Sequence, residues 1–371
     1  MMDHAYFLYH SIGQYPGKAI QMANAMSEFA DIWAAADDGQ WPKVLTKREE
    51  FLSRWRTLIH APDGSLTSAE NVTTALFSVI GGLPPGYLRG KRLLIAADCF
   101  PSLHFLLSGL ADRMGFVLDT VPMRDGQFWV QDDDMLDAWG PDVGLALLTF
   151  VTSTSSHQCD LSRLLQHGKT MGSLVGLDLT QGIGIIPFSL VDHPVDFAVS
   201  SSLKWLCGTP GAGIIQMHTN LIEQVTPELR GWFSQENPFS WDLDAFKYAP
   251  DARRFDNGTP SVLACLGSVP GLKWHATQEG LLAHNRSLTD QIIVAADHAG
   301  LTVATPRLHD QRGGSVMIQL PETTDSQTLV QQLREQSIYV DARGQILRLS
   351  PGAITTEHHV DKLFDQLIPL V

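Results

Sequence analysis

From Lys91 the sequence alternates short apolar runs with helical stretches, and that alternation constrains the fold more than any other feature of the chain. A short, nearly unbroken apolar run is followed by a helical stretch. RLLIAAD precedes a helix over 101–114, FVLDTVP one near 135–139, and LALLTFV one over 161–171, after which SLVGLD opens the next unit. Apolar runs without alternation are what strands buried on both faces look like. Strands alternating with helices fold as a mostly parallel sheet with helices on both sides, an α/β architecture. Ligands of such sheets bind beyond the C-terminal ends of the strands, so strand ends are where chemistry is sought first.

Two of those ends carry charge. Residues 196–213 read DFAVSSSLKWLCGTPGAG: an apolar run, three serines, then Lys204 and a glycine-proline loop. A tight turn at the mouth of a sheet leaves Lys204 where a desolvated amine becomes a nucleophile. A surface lysine after a strand is the simpler reading of that stretch alone, and Asp178 changes it. Asp178 closes SLVGLD, and a carboxylate at the end of a buried strand is costly unless paired. An Asp–Arg pair within the fold would satisfy it. A strand ending in Asp, 26 residues before Lys204, also suits pyridoxal phosphate. That cofactor needs a lysine for its Schiff base and an acid to keep its ring nitrogen protonated. The glycines of GTPGAG lack the Gly-Lys-Ser/Thr ending of a P-loop and are read as a turn into the strand GIIQM.

GLDLTQGIG, DFAVSSSLKW, RGWFS, RRFDNGTPSVL, FLYHSIG near the start, CFPS and LRLSPG near the end together resemble the class V, fold-type I pyridoxal-phosphate enzymes. Within that group the GWF and GTP elements are similar to kynureninase. The resemblance implies a large domain over 41–270 built on a mostly parallel seven-stranded sheet, and a smaller α/β C-terminal domain over 271–371. A segment over 1–40 would pack on the active site and the small domain. It implies a homodimer with active sites at the interface. It assigns Phe100 to stacking on the cofactor ring and Val72 and Thr73 to its phosphate. Thr259 and Trp232 would reach the partner's cofactor, with Gln181 near the ring and Ser201 among the serines able to bind phosphate. Arg348 would clamp the substrate α-carboxylate, a bidentate task that suits arginine. His10 and Ser11 would face the substrate.

Each assignment has a plainer counterpart in the residues themselves. A helix over 68–79, entered by small polar residues, offers free N–H groups to a phosphate, or is simply capped by Thr67 or Ser68. Phe100 also fits a core aromatic. Arg348, lone between Leu347 and Leu349, points away from their face in a strand. Arg253 and Arg254 fit an interface, a substrate contact or solvated surface.

The chain departs from kynureninases at four places. Leu203 precedes the lysine where a tyrosine is expected, Leu103 stands for an aspartate, and Gln181 and Gln235 stand for histidines. Three readings follow: hydrolysis of the Cβ–Cγ bond of kynurenine or a related amino acid, a class V aminotransferase or β-lyase reaction, or a non-catalytic relative. A cysteine desulfurase is disfavoured, because no cysteine follows Cys265.

A net charge of −14 argues against nucleic acid and anionic membranes as partners. No apolar run is long enough to span a bilayer, and the N-terminus lacks the pattern of a signal peptide. Four cysteines without a CxxC pair fit reduced thiols in a cytoplasmic protein. The histidines show no metal-ligand spacing.

Overall fold

The computed structural model describes residues 4–371; residues 1–3 of the expected N-terminal segment lie outside them. In chain order the elements begin with β1 (Ala5–Tyr6), α1 (Lys18–Trp33), α2 (Gln40–Ile59), β2 (Leu66–Ala69) and α3 (Val72–Gly82). The alternating stretch follows as β3 (Arg92–Ala96), α4 (Pro101–Met114), β4 (Val117–Val121), α5 (Asp132–Ala138), β5 (Val143–Thr149) and α6 (Leu161–Met171). It continues as β6 (Leu174–Asp178), β7 (Phe197–Ser201), β8 (Gly213–Met217) and the short α7 (Thr219–Ile222). Beyond it come α8 (Val262–Ala276), α9 (Leu281–His298), β9 (Thr302–Val303), β10 (Val316–Gln319) and α10 (Ser326–Glu335). The chain closes with β11 (Ile338–Tyr339), β12 (Asp341–Arg343), β13 (Ile346–Leu349) and α11 (Glu357–Leu367).

The large sheet has seven strands in the order β2-β8-β7-β6-β5-β3-β4. Its pairs from β7 to β4 are parallel, and β8 runs antiparallel to both neighbours. The fold is thus the expected α/β architecture. Both faces of the sheet are buried: along β7, Ala198 enters one apolar core while Phe197 and Val199 enter the other. Gly176 of β6 lies opposite Phe197, where an added Cβ would sit 2.2 Å from the ring, so the aromatic fills the place of a side chain. Helix α6 is bounded by local signals: Asp160 accepts from the Arg163 N–H, and Gly172 ends the helix at φ 74°.

One helix start is corrected. The helix placed over 68–79 starts at Val72, because Leu66–Ala69 pairs with β8 as an edge strand, and Asn71 rather than Thr67 or Ser68 caps it. The two domains are linked by two helices, α8 and α9, separated by a turn with Gly280 at φ 75°. Pro42 sits in the first turn of α2, where no intrahelical N–H is needed. Helix α1 buries no side chain, and Ile20 is 70% exposed. IYVDAR divides into two strands that join different sheets.

The C-terminal region builds a four-stranded antiparallel sheet, β12-β13-β10-β9, with its own apolar core against α9, α10 and α11. The N-terminal segment enters that core through Ala5 and Phe7, and β1 pairs in parallel with β11. Eight residues later the same segment touches the large sheet: the Gly13 N–H donates to the Leu203 carbonyl at 3.0 Å. A Cβ on Gly13 would lie 1.8 Å from the Lys204 carbonyl oxygen, a clash between two backbones that no rotamer relieves. Gly13→Ala is therefore expected to lower stability by about 1–3 kcal/mol, as overpacking does, read by chemical denaturation.

Candidate active site

A cavity of about 290 Å³ opens at the C-terminal ends of the parallel strands. Strand β6 delivers Asp178 and the segment after β7 delivers Lys204, while Phe100 stands at the turn from β3 into α4. The start of α3 contributes Asn71, Val72 and Thr73. Gln181, Ser201 and Leu203 complete much of the wall, with Leu103 and Val151 as further apolar surface.

Asp178 is buried, and its Oδ1 accepts from both the Thr180 N–H at 2.9 Å and the Thr180 hydroxyl at 2.5 Å. Burial pushes its carboxyl up, partly offset by these two bonds and by the charge of Lys204. Among the described hydrogen bonds none reaches Oδ2, which is left for a protonated partner. Lys204 is its electrostatic counterpart. Burial brings the amine down to about 8; Asp178 opposes that shift and Arg348 adds to it. Its Nζ lies 5.6 Å from the centroid of the Phe100 ring.

At the start of α3 the Asn71 side chain accepts from Thr74 N–H, and its carbonyl accepts from Ala75 N–H. The N–H groups of Val72 and Thr73 are left without intrahelical partners, as at any helix start. Of the three serines after β7, Ser202 receives the Trp55 indole N–H at 3.1 Å and Ser200 is buried; Ser201 is the one that lines the cavity.

Beside this cavity stand groups from the small sheet and the N-terminal segment. Arg348 is buried; its Nη1 donates to the Ser153 carbonyl at 3.4 Å, and Ser153 lines the cavity. Leu347 and Leu349 face the small core, as the alternation required. Arg348 is also hydrogen-bonded to Asp341, which the sequence reading did not single out. His10 is buried: its Nδ1 lies 2.7 Å from the Ser350 hydroxyl, its Nε2 3.4 Å from Asp341, and its carbonyl accepts from the Gln181 amide at 3.2 Å. Burial brings the imidazole down to about 4, so His10 is neutral near pH 7.

Three expected residues stand apart. Ser11 is exposed in the turn after β1. Trp232 belongs to an aromatic cluster with Trp41, Phe233 and Phe239. Thr259 lines a second cavity, of about 220 Å³, with Ser68, Asp256 and Ser261. Arg254 is neither an interface group nor solvated: it is buried and donates to the carbonyls of Ala249, Ile222 and Val225. Asp341 had a legible signal. Gly344 and Gln345 form a two-residue hairpin turn, which sets Asp341 directly opposite Arg348.

Residues 43–351 match the family model of class V aminotransferases, and the chain belongs to that family. It is 28% identical over 285 residues to a kynureninase of Geobacillus thermodenitrificans, covering 72% of this chain and 65% of that one. The chain thus spans under two thirds of that relative's length. It is 26% identical to an isopenicillin N epimerase of Streptomyces clavuligerus over 346 residues, 88% of this chain and 84% of the other. In fold it is similar to a cysteine desulfurase from Thermococcus onnurineus, with a TM-score of 0.87, 18% identity and coverage of 100% and 95% of the two chains. It is equally similar to a cystine C–S lyase (TM-score 0.88, 18% identity, 100% and 98% covered).

The cofactor of the family is pyridoxal 5′-phosphate, and the cavity fits it. A desolvated amine, a buried carboxylate with a free oxygen, an aromatic face and a helix start with free N–H groups converge on one space. Among the described residues no His/Cys/Asp/Glu group could hold a metal, and no helix is long and apolar enough to cross a membrane. Lys204 is protonated below pH 8 and a free amine above it. The rate at which cofactor-free protein develops its visible band on adding pyridoxal phosphate should therefore rise with pH through a midpoint near 8. A stopped-flow series across neutral to alkaline pH measures it.

Proposed function

We propose that the protein acts on an L-amino acid with an uncharged, bulky side chain, by kynureninase-type hydrolysis of the Cβ–Cγ bond. The observation that carries the reading is the pairing in one cavity of a Lys204 amine near pKa 8 with buried Asp178, with Arg348 beside it, bonded to the carbonyl of Ser153 in the cavity wall. Pyridoxal phosphate, when bound, supplies the electron sink that stabilises a carbanion at the substrate α-carbon. Asp178, held in place by Thr180, would hold the ring nitrogen in its protonated form. Phe100 would stack on the ring. Val72, Thr73 and Ser201 would hold the phosphate. Lys204 would serve as the Schiff-base lysine and, as a free amine, as the base that takes the α-proton. Arg348 holds the α-carboxylate, and His10 borders the substrate. The apolar wall of Val151, Leu103 and Leu203 suits an aromatic ketone side chain. Water adds to the ketone carbon, the Cβ–Cγ bond breaks, and alanine and an aromatic carboxylate leave.

We extend the proposal to a homodimer in the cytoplasm. Phe105, Trp241 and Leu243 are 72%, 82% and 95% exposed, as surfaces awaiting a second copy would be. In such a dimer Thr259 and Trp232 would serve the partner's site. All four cysteines are free, which fits a reducing compartment.

A second reading confines the chemistry to the α-carbon, as in transamination or epimerisation. Leu203 supplies no acid for a later step, and the epimerase match spans more of the chain than the kynureninase match. One experiment separates them. The purified yellow protein is mixed with kynurenine while absorption and anthranilate fluorescence are followed. Release of anthranilate is expected; a yellow protein that perturbs its spectrum without releasing it supports the second reading. Lys204→Ala is expected to lose both the visible band and turnover.

A further inference from the structure

Asp341 and Arg348 face one another across the hairpin formed by β12 and β13, with Asp341 in register with Arg348. Directly opposed residues of opposite charge on one sheet face interact strongly. The Asp341 Oδ2 receives Arg348 Nη2, lies 3.4 Å from His10 Nε2, and lies 3.8 Å from the exposed Arg343. One carboxylate oxygen therefore ties together two buried side chains expected to face the substrate, one from the small sheet and one from the N-terminal segment.

The remaining donors of Arg348 are uncommitted. Its Nε is buried with no hydrogen-bond partner, and Nη1 has a single long contact to Ser153. A buried guanidinium donor without an acceptor is costly, and native proteins rarely leave one unless a ligand supplies the acceptor. The tautomer of His10 follows from the same carboxylate. A carboxylate only accepts, so Nε2 carries the proton toward Asp341 and Nδ1 accepts from Ser350. Ser350 in turn lies 2.6 Å from the Ser315 hydroxyl. The result is a directed chain running from Ser315 through Ser350 and His10 to Asp341 and Arg348. Burial pushes the Asp341 carboxyl up, but the bonds from His10 and Arg348 hold it well below the usual carboxylate range, so it stays charged throughout the neutral range.

We propose that Asp341 is a positioning residue for amino-acid binding: it fixes the Arg348 guanidinium by one nitrogen and the His10 ring by another, leaving the free donors of Arg348 aimed for the substrate α-carboxylate. This rests on the reading of Arg348 as the carboxylate clamp. Two other roles give different results. A mere cross-strand tie would stabilise the hairpin without touching ligand selectivity. A competitor that occupies Arg348 would weaken carboxylate binding, so removing it would strengthen that binding.

The test uses the cofactor-loaded protein and two probes that differ only by a carboxylate, L-alanine and ethylamine. Each is titrated while the visible spectrum is followed, and the ratio of the two dissociation constants reports what the carboxylate contributes. In Asp341→Asn the preference for alanine is expected to fall by about tenfold, the loss of one charge-assisted hydrogen bond, with ethylamine binding unchanged. Asp341→Glu, which keeps the charge, should recover part of the preference. An unchanged ratio in Asp341→Asn overturns the proposal in favour of a structural tie, and an increased ratio overturns it in favour of a competitor. Arg348→Ala reads the underlying assignment separately. Collapse of its ratio supports the clamp; a full preference for alanine in that variant means the carboxylate is held elsewhere, and the reading of the site fails with the inference.

Discussion

A buried carboxylate and a half-buried amine at the ends of two neighbouring strands set the terms for the rest of the site. Asp178 closes β6 and pairs in register with Val199 of β7; Lys204 lies three residues beyond that strand's end. Neither charge is tolerable alone at such depth, and each lowers the cost of the other. The pairing is incomplete by design of its neighbours. Thr180 takes one oxygen of Asp178, and the amine lies 5.6 Å from the centroid of the Phe100 ring, with no ion pair to a carboxylate among the described residues. The amine is consequently left easy to deprotonate and the carboxylate left with a free oxygen, the two properties a cationic ring and an electrophilic carbon require.

The site divides its work between two sheets. The large one supplies a rigid floor, because β6 and β7 are buried on both faces and Phe197 packs into the space above Gly176. The small one supplies Arg348 on the single face of β13 not consumed by its own core. A strand residue flanked by two core leucines has no freedom to choose sides, so the orientation of the guanidinium is settled by the burial of Leu347 and Leu349.

Much of this was legible in the sequence, and what was not shares one cause. The parallel strands, α4 and α6 could be delimited closely because apolar runs, caps and glycines are local signals. Lys204 and Asp178 could be found because charge at a buried strand end is conspicuous. Ser68 and Ala69 were misread as the start of a helix since their strand is set by antiparallel pairing with β8, a partner about 150 positions away. The tie of Arg254 to three carbonyls and the approach of Gly13 to Lys204 depend likewise on contacts distant in the chain. Asp341 is different: its position opposite Arg348 follows from a two-residue turn, so the geometry was readable and only its importance was hidden.

The N-terminal strap has a mechanical consequence. One end is woven into the small sheet's core through Ala5, Phe7 and the pairing of β1 with β11, and the other is pinned by Gly13 to the backbone that carries Lys204. The few residues between are too short to act as slack. Any swing of the small sheet away from the large one would pull on the peptide bearing the reactive amine, or else peel the strap away at His10. The strap thereby fixes the spacing between the small sheet and the peptide that carries the amine, with buried His10 between its two anchors.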